Sequence, residues 1–277
     1  MENNYFSRTK SFFEALFAKN LFLLALTLLA ALGMEAQTTV SIGSGNTRSS
    51  NLPIVSNYGY NYSQQLYLAS EYTTAGGTGL TMISKLRFYY NGTGSGTAVG
   101  SSPSTSYFDD WTIYMGNTSK SSFTSSTDWV PSSALTQVFS GTVTFPAAGN
   151  WLEITFSTPF LWDGTSNIVV AVDENKPSYG SLVYWGAITS GVSNRGIYYR
   201  SDGTNPNPAS PPTAYNRQNA VPFVQFVAQA ATGCETPVAQ PSALAFSSVT
   251  GTSLSGSFTL PSPAPTGYMV VRSTSAT

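Results

Sequence analysis

From Gln37 to about Val227 the apolar residues recur at every second position, in short runs separated by clusters of Gly, Pro, Asn and Ser. This spacing constrains the fold most, because a strand turns successive side chains to opposite faces whereas a helix repeats its faces every ~3.6 residues. In Ile83–Tyr90, Leu86, Phe88 and Tyr90 share one face, and Lys85, Arg87 and Tyr89 share the other. Trp151–Phe156 sets Leu152, Ile154 and Phe156 against Trp151, Glu153 and Thr155. Val138–Phe145 sets Phe139, Val143 and Phe145 against Ser140, Thr142 and Thr144. Asn167–Val172 is apolar on both faces, as a central strand is. Further strands are expected at Thr38–Ile42, Gln65–Ala69, Trp111–Met115, Ser181–Trp185, Gly196–Arg200 and Val221–Val227. The pattern predicts an all-β fold of short strands over 37–228, a sandwich or a barrel.

Turn residues fall between the runs, at Ala75-Gly76-Gly77, at Asn91–Gly96 and at Asn205–Pro208. Ser101–Asp110 and Asp202–Asn219 are long connections, and long loops held by a rigid sheet are where binding residues concentrate. Trp111, Ile113 and Met115 share a core parity, whereas Trp162, in Pro159–Gly164, reads as a turn aromatic folded over an edge.

Composition excludes several functions. The chain has no histidine and one cysteine, so a Ser-His-Asp triad, a Cys-His dyad, a His-ligated zinc and a thiolate cage are all ruled out. Charged residues make up 9% with a net charge of -1, too sparse for the basic stripe that a nucleic-acid binder needs. The glycines at 92, 94 and 96 are followed by Val99 where a dinucleotide-binding fingerprint needs its third glycine, and no P-loop or nucleophile elbow occurs.

Arg8, Lys10 and Lys19 lead into an uncharged apolar run at Leu21–Leu32, followed by Gly33-Met34-Glu35-Ala36. Its twelve residues suit the core of a signal-peptide helix and fall short of the ~20 that span a bilayer. Residues 1–36 are therefore expected to be a signal peptide cleaved after Ala36, with Gly33 as the alternative site. A secreted or cell-surface protein with no membrane span after processing follows. In that compartment Cys234 has either a pairing partner elsewhere or the role of a small hydrophobe.

At 229–241 the alternation stops, and three strand-like pieces follow at Leu244–Val249, Ser253–Leu260 and Gly267–Arg272. Residues 229–241 are read as a linker and 242–277 as a partial immunoglobulin- or fibronectin-like β segment, since three strands do not close a sandwich.

Two groups could carry function. Trp185, Tyr198, Tyr199 and Tyr215 lie in or beside the late strands and the second long loop, where flat aromatic rings stack on sugar rings while Asn, Asp and Gln bond the hydroxyls. Asp173, Glu174 and Asn175 follow the buried strand and bring three oxygen-bearing side chains to its end. They offer a calcium site, or a turn whose side chains bond their own backbone. Apart from calcium, the chain implies no cofactor. The ten acidic residues after position 36 contain no pair that its context marks as catalytic.

Certain segments resemble the N-terminal β-sandwich region of surface and secreted proteins exported by the type IX secretion system. They are Ile42–Gly45, Tyr60–Tyr67, Ile83–Tyr90, Trp111–Gly116, Val138–Gly141, and Pro159-Phe160 through Asn167–Val172. The stretch from Cys234 resembles the opening of a fibronectin type III domain. The resemblance implies a jelly-roll adhesin domain. Together these readings lead to a non-catalytic extracellular adhesion or carbohydrate-binding module whose partner is a glycan or a surface protein. The alternatives are an accessory domain of a secreted protease or glycosidase and a structural spacer.

Overall fold

The computed structural model describes residues 37–94, 99–231, 242–253 and 255–260. The chain divides into two compact units between Ala231 and Thr232. The expected signal peptide, Cys234 and the strand at Gly267–Arg272 lie outside the described residues.

The first unit is built from β1 (Thr38–Ile42), β2 (Arg48–Ser49), β3 (Tyr60–Tyr67), a helix α1 (Ala69–Thr74), β4 (Thr81–Thr93), β5 (Asp110–Thr118), β6 (Thr136–Thr142) and β7 (Asn150–Trp162). It continues with β8 (Asn167–Glu174), β9 (Val183–Ile188), β10 (Gly196–Ser201), β11 (Asn216–Gln218), β12 (Val221–Pro222) and β13 (Val224–Ala230). One sheet runs β1-β13-β4-β7, and the other runs β3-β8-β5-β6, every pair antiparallel. In chain order the strands alternate between the sheets, except for the β5–β6 hairpin. This connectivity of eight strands is a jelly roll.

The segment between β8 and β13 is an insertion in that scheme. Its β10 pairs with β3 and its β11 with β10, extending the second sheet outward. Its β9 pairs with β4 at Tyr90–Thr93, continuing the edge that β13 occupies lower down, and β2 and β12 pair with β9. All four aromatics expected at a site lie within this insertion.

The alternation of the sequence is the alternation of burial. Leu86, Phe88, Tyr90, Leu152, Ile154, Trp111, Ile113 and Met115 fill the space between the sheets, while Lys85, Arg87 and Glu153 form an ion-paired cluster on the outer side of the first sheet. β8 is apolar on both faces because the second sheet is covered outside as well. Phe123, Trp129, Val130 and Ala214, from two loops, pack on Tyr62, Leu66, Val169, Ala171 and Ile197. Gln64 closes this outer layer, its Oε1 accepting from the Val130 amide at 2.8 Å and its Nε2 donating to the Val130 carbonyl at 2.9 Å.

Three expectations require correction. Trp162 is fully buried in the main core with its ring 4.4 Å from that of Tyr72, rather than lying over an edge. Residues 69–74, partly assigned to a strand, form a helix too short to display a helical period. In β6 the pairing with β5 shifts between Ile113 and Tyr114, so Val138, on the parity of the wet set, is buried in the main core together with the expected Val143, and Phe139 and Phe145 pack against it. A bulge adds one residue to one strand and reverses the parity beyond it, which period counting does not register.

The second unit contains a hairpin of β14 (Ser242–Ser247) and β15 (Ser255–Thr259). Leu244 and Phe246 on it are exposed. Among the described residues no helix is long and apolar enough to cross a membrane.

Candidate functional site

The register of the second sheet brings the late-strand aromatics and the acidic strand end to the same place. Arg200 of β10 is opposite Asn61 of β3, Asn61 is opposite Glu174 of β8, and Glu174 is opposite Trp111 of β5. At this end β3 and β5 begin and β8 and β10 finish, so the connections 50–59, 101–109, 175–182 and 202–215 all meet there.

These loops hold one another. The Asn205 Nδ2 donates to Asn175 Oδ1 at 3.0 Å, and the Gly59 amide donates to Asp202 Oδ1 at 3.1 Å. Lys176 Nζ pairs with Asp109 Oδ1 at 2.8 Å, Ser178 Oγ donates to the Tyr107 carbonyl at 2.9 Å, and the Gly180 amide donates to the Ser56 carbonyl at 2.9 Å. Loops joined in this way form a preorganised rim on a rigid sheet, which reduces the ordering cost of binding.

Period two divides the four expected aromatics. Tyr198 and Arg200 share one face of β10, and Tyr199 takes the other, opposite Tyr62. Tyr215, whose amide donates to the Tyr198 carbonyl at 2.8 Å, brings its ring centroid to 5.8 Å from that of Tyr198. Tyr215 is 61% exposed, whereas Tyr198 is buried and Tyr199 half-buried.

Trp185 is removed from the site. It is fully buried, and its ring lies 5.5 Å from Tyr90, 5.9 Å from Phe145, 6.0 Å from Trp111 and 6.3 Å from Phe88. Its alternation with polar neighbours is the same for a core residue as for a platform on the opposite face, so the sequence did not distinguish the two.

The Arg200 guanidinium carbon is 4.1 Å from the Tyr58 ring centroid and 4.0 Å from that of Tyr215. A cation between two π-faces is attracted by both ring quadrupoles. The sequence marks Tyr199-Arg200 only as the end of a strand, and Tyr58 lies far from it along the chain, so neither this pairing nor Asn205 was visible before folding.

In the acidic group the two carboxylates point apart. Asp173 and Glu174 are consecutive residues of a strand and turn to opposite faces, so their carboxylates do not converge on one ion. The Asn175 Nδ2 donates to the Asp173 carbonyl at 3.2 Å, and the Lys176 amide donates to Glu174 Oε1 at 2.9 Å. This is the self-bonded turn reading. Among the described residues no cluster of three or more acidic, His or Cys side chains has metal-binding geometry.

Burial pushes the Asp173 carboxyl up to about 7, and Asp110 nearby adds to the rise. Burial likewise pushes Glu174 up to about 9. Asp173 Oδ1 and Glu174 Oε2 have no hydrogen-bond partner, so protonation relieves the cost of a buried charge. Their opposed directions also prevent them from flanking one glycosidic bond as an acid–base pair.

No family model matches the chain, and searches of curated proteins and of solved structures find no similar protein.

Proposed function

We propose that this chain is a non-catalytic, exported module that binds carbohydrate through the loop rim of its second sheet, as an adhesion domain of a surface protein. The observation that carries this reading is the exposed ring of Tyr215, held against Tyr198 and Arg200 where four interlocked loops meet. A flat ring fixed in place stacks on the apolar C–H face of a sugar, and the Asn175 and Asn205 amides of the same loop rim supply donors and acceptors for its hydroxyls.

The zero histidine count, the lone cysteine and the divergent Asp173 and Glu174 side chains favour a binding role over catalysis. The apolar run at Leu21–Leu32 after three basic residues supports export, and the resemblance to type IX-exported surface proteins supports a place at the cell exterior. Weak binding by one such rim becomes useful when a surface presents many copies.

A glycan array followed by calorimetry on the best ligand tests the reading. Wild-type chain binds, and Tyr215→Ala lowers the affinity at least about tenfold, in line with the loss of one stacked ring. Binding that is insensitive to Tyr215→Ala, or absent across neutral and charged glycans, refutes it.

A further inference from the structure

Eight basic side chains lie among the described residues, and seven of them have oxygen partners. Lys85 and Arg87 pair with Glu153, Lys120 with Asp128, Lys176 with Asp109 and Arg195 with Glu71. Arg217 donates to the Phe123 and Thr124 carbonyls, and Arg48 to the Gly94 carbonyl.

Arg200 is the eighth. It has neither an ion pair nor a hydrogen bond, and its Nε is buried without an acceptor. Its half-buried guanidinium is held by the Tyr58 and Tyr215 rings alone. Asp202, the acid two residues along, spends its Oδ1 on the Gly59 amide and forms no ion pair with Arg200. With a ring centroid 4.1 Å and 4.0 Å from its central carbon, the guanidinium leaves both Nη groups without an acceptor, and the Nη1–Nη2 edge is a planar fork of donors matched to a carboxylate. Stacking fixes the orientation of the fork in advance, and the hydrogen-bonding capacity it leaves unused is unusual for a half-buried cation.

We infer that Arg200, clamped between Tyr58 and Tyr215, is a carboxylate-binding position, and that the saccharide bound at this rim is an acidic one carrying uronate groups. This rests on the carbohydrate reading above and adds the charge of the ligand to it. Tyr215 covers the sugar ring while the Arg200 fork takes the ring's carboxylate, and the two groups are in contact already. The exposed ring and the flanking Asn175 and Asn205 favour a saccharide over an acidic peptide, since they offer a stacking platform and amides in place of an apolar groove or a strand edge.

The test is calorimetric titration of the full chain with oligogalacturonate and with the neutral oligogalactan of the same length, repeated on Arg200→Gln and Arg200→Lys. Uronate is expected to bind more tightly than the neutral oligomer and to weaken with added salt. Arg200→Gln should lower uronate affinity about tenfold or more, and by a clearly larger factor than it lowers neutral binding, which loses only the support Arg200 gives to the Tyr215 ring. Arg200→Lys keeps the charge and, lacking the planar fork, should lose most of the preference as well. It also serves as the second variant should Arg200→Gln melt early.

Equal affinity for the two oligomers, or full uronate affinity in both variants, overturns the inference and leaves the carbohydrate reading intact. Absence of binding to either oligomer, with an acidic peptide bound in an Arg200-dependent manner, overturns both.

Discussion

Arg195 and Glu71 face each other through two parallel hydrogen bonds, Nη1 to Oε2 at 2.7 Å and Nη2 to Oε1 at 2.8 Å. Arg195 is buried beside the start of β10, and Glu71 lies in α1, where its Oε2 also accepts from the Leu68 amide at 2.9 Å. The pair therefore fastens the helix to the strand that carries the site. Removing one partner leaves a buried cation without its counter-charge, so Glu71→Gln should destabilise the first unit by about 2–4 kcal/mol. Urea unfolding measures this. Replacing both residues with apolar ones of similar volume should recover much of the loss, because neither charge is then buried.

Trp185 and Tyr215 should behave oppositely when altered. Trp185→Ala opens a cavity among Phe88, Tyr90, Trp111 and Phe145 and should cost about 3–5 kcal/mol. Trp185→Phe keeps most of the packing, should cost less, and should leave ligand affinity unchanged. Tyr215→Ala removes an exposed ring and should change stability by about 1 kcal/mol or less while abolishing stacking. Thermal melts and calorimetry on the same preparations separate the two effects.

Stability should fall as pH rises from about 5 to 8. In the unfolded chain Asp173 and Glu174 ionise near pH 4, whereas in the fold they hold their protons up to about 7 and about 9. Between those limits the folded state binds more protons, so the slope of stability against pH is negative. The contribution is fully present below the unfolded values and is lost as pH climbs through the folded ones. Glu153 acts in the opposite sense: hydrogen bonds from Lys85 and Arg87 hold it below its usual range, and its contribution disappears in acid. Glu174→Gln should flatten the decline, most clearly between about pH 5 and 8, and raise the melting temperature at pH 8. A melting temperature that rises over this interval contradicts the assignment.

Gly43 should not accept alanine. Its φ is +88°, and a Cβ there would lie 2.4 Å from Cδ1 of Phe223. Gly43→Ala combines left-handed strain with displacement of a buried ring and should cost about 2–4 kcal/mol. Denaturant midpoints give the value. The Ile42–Gly45 segment, marked in the sequence as a point of resemblance, thus has a local steric reason for its first glycine.

The sequence made the sandwich legible because Leu86, Phe88 and Tyr90 against Lys85, Arg87 and Tyr89 report one buried and one wet face directly. Asn167–Val172 lies between β3 and β5 as its two apolar faces imply, and part of its burial comes from the loops bearing Phe123 and Trp129 rather than from a sheet. The site was legible only as a neighbourhood. Tyr198, Tyr199 and Tyr215 are close along the chain, yet which of them face together depends on strand parity and on how the 202–215 loop returns. Tyr58 meets Arg200 only through the β3–β10 register, and no local pattern encodes that contact. Asp173 and Glu174 read as one cluster along the chain but turn to opposite faces, because adjacency in sequence is opposition in a strand.

The most direct test of the account is to titrate the isotopically labelled chain with oligogalacturonate and follow its amide and arginine side-chain resonances. The account predicts saturable shifts confined to the rim, at 52–59, 175–182 and 198–215, with the Arg200 Nε–H signal among the largest. No movement at saturating saccharide, or shifts confined to the Lys85, Arg87 and Glu153 face of the first sheet, would contradict it.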